Sequence, residues 1–205
     1  LPDAMVNYLA RLGWSHGDDE IFSRAQFLEW FDLDHLGRSA GQFDEAKLRW
    51  VNAQHLKAMD DARLAELVRP FLLQKGIDAA LLDDGRLPAM CGLLKDRCDT
   101  LVALADWIER FHVSVEASEE DKAKHLTDAV RPAIAALATQ LETCDWTQEA
   151  ISAAIKQILA DFGLKMPHLA MPVRVLVMGT SQTPSLDAVL TLQQRKKVLR
   201  DLQKV

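Results

Sequence analysis

Nowhere in the 205 residues does an apolar run approach the roughly 20 residues that cross a bilayer. No basic start followed by an apolar core reads as a secretion signal. No membrane partner is expected. Cysteine is scarce: Cys91, Cys98 and Cys144 are an odd number without a Cys-x-x-Cys spacing, so no metal or redox role is expected, and a reducing cytoplasm fits. Catalytic signatures are missing as well. There is no Gly-x-Gly-x-x-Gly and no phosphate-loop pattern. His16, His35, His55, His112, His125 and His168 never fall into a His-Glu-x-x-His arrangement. The acidic pairs Asp18-Asp19, Asp60-Asp61, Asp83-Asp84 and Glu119-Glu120 sit where turns and helix starts are expected, serving orphan backbone N–H groups. The sequence offers no catalytic residue, no metal ligand set and no cofactor cradle.

What is present is helical periodicity. With 49% hydrophobic and 26% charged residues, the composition is that of an ordinary globular chain large enough for one large or two small domains. Residues 2–12 place Met5, Val6, Leu9 and Leu12 on one face. Ser23 with Gln26 predicts a capping box. Asp44 is expected to cap a helix from Glu45 to about Lys57, and Asp60 or Asp61 to start another that Pro70 kinks or ends. Residues 77–88 read as irregular. A long helical pattern then runs from about Leu87 to Phe111, with Cys91 and Cys98 on one face. Ser118 caps a charged helix, Pro132 marks an entry or kink, and Trp146-Thr147 opens a helix with Trp146 stapled onto Ile151. Residues 173–178 have the β-branched content of a strand, yet no partner strand exists, so a helix is expected. The tryptophans are expected in the core, with Trp14 alone a candidate for exposure as a stacking platform. The fold class is all-α, with a soft boundary between residues 1–59 and 60–205.

The net charge of −6 argues against a nucleic-acid partner only globally, because phosphate binding follows local patches. The tail from Gln193 to Lys204 is such a patch. Arg97 lies at the centre of the long apolar pattern. It either snorkels and pairs with Asp96 or Asp99, or presents its fork of donors to a nucleobase edge. The stretch from Met171 to Asp187 holds Arg174 inside an apolar run that Gly179 ends. A polar turn, Ser181-Gln182-Thr183-Pro184, follows. One cation and small polar groups on an apolar frame suit recognition of a flat polar ligand.

That last stretch, with the block Leu1 to Asp18 and the block Phe43-Asp-Glu-Ala-Lys-Leu-Arg-Trp-Val-Asn52, resembles the C-terminal tRNA-reading half of bacterial glutamyl-tRNA synthetases. The likeness runs through nearly the whole chain. It implies a helical stem-contact domain over 1–59 and a helical-bundle anticodon-binding region over 60–205. It implies that Arg174, Thr183 and Pro184 help read anticodon bases and that Arg97 faces the third. Lys47, Lys196 and Lys197 are assigned to the tRNA backbone, although Lys47 is equally a surface helix lysine. Position 178 departs from the family's frequent Thr-Gly pairing, so a hydroxyl contact is lost there. The family's His-Ile-Gly-His-like motif and lysine-rich ATP loop are absent, and the chain begins Leu1-Pro2 without Met. A catalytically silent, monomeric, cytoplasmic fragment is therefore expected. Its partner would be glutamate-accepting tRNA and not DNA. It would hold no cofactor itself, ATP with Mg belonging to the parent ligase. The rival is an all-α adapter binding protein partners through an apolar groove.

Overall fold

The computed structural model describes residues 1–37 and 41–204. It is all-α. Among the described residues there is no strand, only one isolated antiparallel bridge between Trp14 and Leu36. The helices are α1 (Pro2–Arg11), α2 (Arg24–Trp30), α3 (Glu45–Ala58), α4 (Asp61–Gln74), α5 (Ala79–Leu82) and α6 (Leu87–Leu94). After a 3-10 turn (Lys95–Arg97) come α7 (Leu101–His112), α8 (Glu119–His125), α9 (Arg131–Thr143) and α10 (Gln148–Asp161). Helices α11 (Met166–Met178), α12 (Leu186–Thr191) and α13 (Arg195–Leu202) complete the chain. No described helix is long and apolar enough to cross a membrane.

Local capping chemistry sets most starts. Ser23 accepts from Gln26 N while Gln26 Oε1 accepts from Ser23 N, a reciprocal box. The side chains of Asp44, Asp60, Ser118 and Thr147 each accept from backbone N–H groups of the first turn. The expected long helix over 87–111 is broken. Thr100 accepts from Ala103 N and starts α7 afresh, leaving Lys95–Arg97 as a tight turn between two helices. Arg97 is thus at a helix junction and not mid-helix. Residues 77–88 contain the single-turn α5, capped by Asp78. Pro70 does not end α4, which continues to Gln74. Residues 173–178 are helical, with Pro167 tolerated in the first turn and Gly179 in the left-handed region at the C-terminus, φ +69°.

One large core joins α4, α6, α7 and α9–α13, with Leu64, Leu72, Leu94, Leu104, Ile108, Phe111, Leu137 and Ile151 fully enclosed. Leu56 of α3 reaches into it, so the N-terminal block is anchored to the rest. Ala4, Tyr8 and Val51 form a smaller core between α1 and α3. The inward face of α1 is therefore Ala4, Asn7 and Tyr8, while Met5 and Leu9 are exposed. Trp14 is the opposite of the expected exposed platform. It is 4% exposed and packs edge-on to Phe22 and Phe27, with ring centroids 5.8 and 5.3 Å away. Trp50, expected in the core, is exposed instead, with the Lys47 ammonium 4.2 Å from its ring centre. Trp146 donates from Nε1 to Gln193 O at 2.9 Å, tying the start of α10 to the turn before α13. Burial pushes the thiols of Cys91 and Cys98 up to about 12 and about 11, so both are inert packing groups.

Candidate nucleic-acid interface

The turn from Gly179 to Ser185 joins α11 to α12 and is built from the inside. A helix end leaves orphan carbonyls that cations satisfy well. Here Met178 O accepts from Arg110 Nη1 at 2.8 Å and Val177 O from Lys197 Nζ at 2.9 Å. Gly179 must be glycine for two reasons. Its φ is left-handed, and a Cβ would lie 2.8 Å from Val115 Cγ1, where the loop after α7 crosses. Beyond it the chain turns back so that Pro184 O accepts from both Arg174 Nη2 (3.1 Å) and Thr183 Oγ1 (3.0 Å).

Arg174 is half-buried with an incomplete set of partners. One Nη2 bond is made inside the chain, while Nε is enclosed and unbonded. Burial lowers its pKa, and the positive charge of Arg97 lowers it further. The structure thus brings these two residues, 77 positions apart in sequence (174 − 97), into one neighbourhood. Arg97 is exposed. Among the described residues neither guanidinium has a carboxylate within 4 Å, so the expected pairing of Arg97 with Asp96 or Asp99 is not formed. Asp99 is engaged by Arg49 at 3.3 Å. Like charges without carboxylate partners disfavour each other's charged form.

The other expected contacts divide. Thr183 is buried and its hydroxyl is spent on Pro184 O, so it shapes the turn and presents no free donor outward. Pro184 is half-buried at the rim. Lys196 is exposed and without an ion-pair partner among the described residues. Lys47 is half-buried and held 2.5 Å from Glu20 Oε2. Lys197 is a correction. It is 4% exposed, donates to Val177 O and to Gln193 Oε1 (2.6 Å), and pairs with Asp201 at 3.0 Å, so it faces the core and cannot meet a phosphate. Its spacing of four from Asp201 was the available signal for an internal pair. Sequence reasoning also missed Arg110, whose place in the last turn of α7 gave no hint that it would cap a different helix.

The all-α frame agrees with comparison to known proteins. The chain belongs to the family of anticodon-binding domains, whose model matches residues 63–205. It is similar to the glutamate–tRNA ligase of Delftia acidovorans, 69% identical over 204 residues, which are 98% of this chain and 44% of that protein. The glutamate–tRNA ligase of Paracidovorax citrulli is 69% identical over 198 residues, covering 97% of this chain and 41% of that protein. The chain spans less than half the length of these curated relatives. The fold matches the crystal structure of a glutamate tRNA ligase from Elizabethkingia meningosepticum with a TM-score of 0.90 at 22% identity, over 100% of this chain and 40% of that one.

Proposed function

We propose that this chain is the tRNA-reading half of a glutamate–tRNA ligase, with Arg97 and Arg174 reading anticodon bases. The observation that carries this is the pair of neighbouring guanidiniums left without carboxylates in an acidic chain. A planar guanidinium offers parallel donors that match a base edge, which an ammonium does not. Arg97 addresses the third anticodon base, as the resemblance implies. Thr183 and Pro184 hold the turn that aims Arg174, and Lys196, with Lys47 once released from Glu20, supplies phosphate contacts. Residues 1–59 are the stem-contact part and 60–205 the anticodon-reading part.

In the whole enzyme glutamate is activated with ATP and joined to tRNA. The residues of this chain do not suit ATP and Mg: no phosphate-cradling glycine loop is present in the sequence. No group of three or more His, Cys, Asp or Glu is placed for a metal among the described residues. That chemistry belongs to the rest of the ligase, and this chain is catalytically silent, cytoplasmic and monomeric. The adapter reading draws on exposed Leu28, Leu33 and Phe43 in the N-terminal block.

Titration with glutamate tRNA and with anticodon-altered tRNAs separates the readings. Arg97→Ala and Arg174→Ala are expected to lose discrimination worth about 1–3 kcal/mol at the affected base. Lys196→Ala should weaken all tRNAs alike and shallow the log–log salt slope by roughly 0.7–0.9. Binding insensitive to salt, or discrimination intact in both arginine variants, refutes the assignment and favours the adapter. Pyrophosphate exchange by the isolated chain with glutamate, ATP and tRNA would refute its silence.

A further inference from the structure

Arg97 stands on a three-residue 3-10 turn, an element with little stability of its own. Its aim must therefore come from outside, and the structure shows from where. Two residues after Arg97, the carbonyl of Asp99 accepts from Asn52 Nδ2 at 2.6 Å, and the Asp99 carboxylate meets Arg49 Nη1 at 3.3 Å. Two residues before it, Lys95 Nζ donates to Met59 O at 2.8 Å and forms an ion pair with Asp61 at 2.8 Å. Arg49 and Asn52 lie on α3, Met59 just after it, and Asp61 opens α4. Asn52 is buried and closes the motif that begins at Phe43, so a nucleic acid cannot reach it. The Lys95 side chain is four-fifths buried. Between the two clamps, Arg97 itself is exposed.

We propose that Asn52 and Lys95 are positioning residues for Arg97, clamping its turn from both sides onto the α3–α4 connection. Base discrimination at Arg97 is then set by the N-terminal block as much as by the bundle that carries it. This rests on the reading of Arg97 as a base contact. It predicts that loosening either clamp blurs the choice of base while the remaining contacts still bind RNA. A guanidinium free to swing keeps its charge and loses its directed donor pair.

The test is anisotropy titration of the full 205-residue chain with an anticodon stem–loop RNA and its variant altered at the third anticodon base. The readout is the ratio of the two Kd values, with a thermal melt alongside. Arg97→Ala should collapse the ratio by roughly 5–150-fold. Asn52→Ala and Lys95→Met should each lower it by about 3–10-fold, the scale of one orienting hydrogen bond, and add nothing in the Arg97→Ala background. Lys95→Arg, which keeps a cationic donor, should restore most of the ratio. Should Asn52→Ala fail to fold, Arg49→Ala acts on the same clamp from an exposed position and should lower the ratio in the same direction. An unaltered ratio in Arg97→Ala overturns the base reading and the clamp with it. A ratio that falls in Arg97→Ala but stays intact in the clamp variants, with all RNAs weakened equally or only the melt lowered, overturns the clamp alone.

Discussion

Replacing Lys197 by methionine keeps an unbranched side chain, one heavy atom shorter, and removes the charge and donors. In the folded protein those donors serve Val177 O at 2.9 Å, Gln193 Oε1 at 2.6 Å and Asp201 Oδ2 at 3.0 Å. Burial lowers the Lys197 pKa, and the Asp201 charge opposes that. Burial would likewise raise the Asp201 carboxyl, yet the Ser114 hydroxyl and the Lys197 charge outweigh it and hold the carboxyl below its usual value. Breaking a buried ion pair from one side costs about 3–5 kcal/mol, because the remaining charge stays enclosed. Asp201 would keep Ser114, and Lys204 at 3.4 Å, so the loss belongs at the lower end, about 3 kcal/mol. For a chain of this size that lowers Tm by about 6–12 °C. Lys197→Met with Asp201→Leu should recover much of it, since an apolar pair leaves no stranded charge. Circular dichroism melts of both, beside Lys196→Ala as the exposed control, measure the effect. If Lys197→Met melts within about 2 °C of the parent, the enclosed network has been misread and Lys197 returns to the surface as a phosphate contact.

Gly179→Ala forces a Cβ into the left-handed region and to 2.8 Å from Val115 Cγ1. A loss of at least about 1–2 kcal/mol is expected, with weaker discrimination by Arg174 as the turn shifts, read by melting and by tRNA titration. Stability should also fall on acidification in two stages. Burial lowers the pKa of His55 and of His112, so the unfolded chain takes up protons first as pH drops through 6.5, and the fold loses stability there. The Asp201 pKa is depressed in the fold, so its contribution is present above the ordinary carboxyl value of 3.8 and is lost as pH falls through the folded value. Urea titrations from pH 8 to pH 3 should show the first decline shrink in His112→Gln, and an unchanged profile in that variant would refute the histidine part.

The fold class and most helix starts were legible in the residues alone, because caps and periodicity act within one turn of chain. Ser23 with Gln26, Asp44, Ser118 and Thr147 needed only their neighbours to do their work. Even the break at Thr100 had a local signal, a threonine three residues before Ala103, outweighed by the apolar period around it. Arg174, Gly179 and Pro184 were legible as a group for the same reason, lying within eleven consecutive positions from 174 to 184. Tertiary structure alone decided which cations face water. Lys196 and Lys197 are neighbours in one basic tail, yet one is exposed and the other is buried against the Val177 carbonyl of α11. Only packing set Asn52 of α3 against Asp99 O, two residues after Arg97. Burial and long-range pairing depend on elements far apart in the chain, and no local pattern of residues encodes that distance.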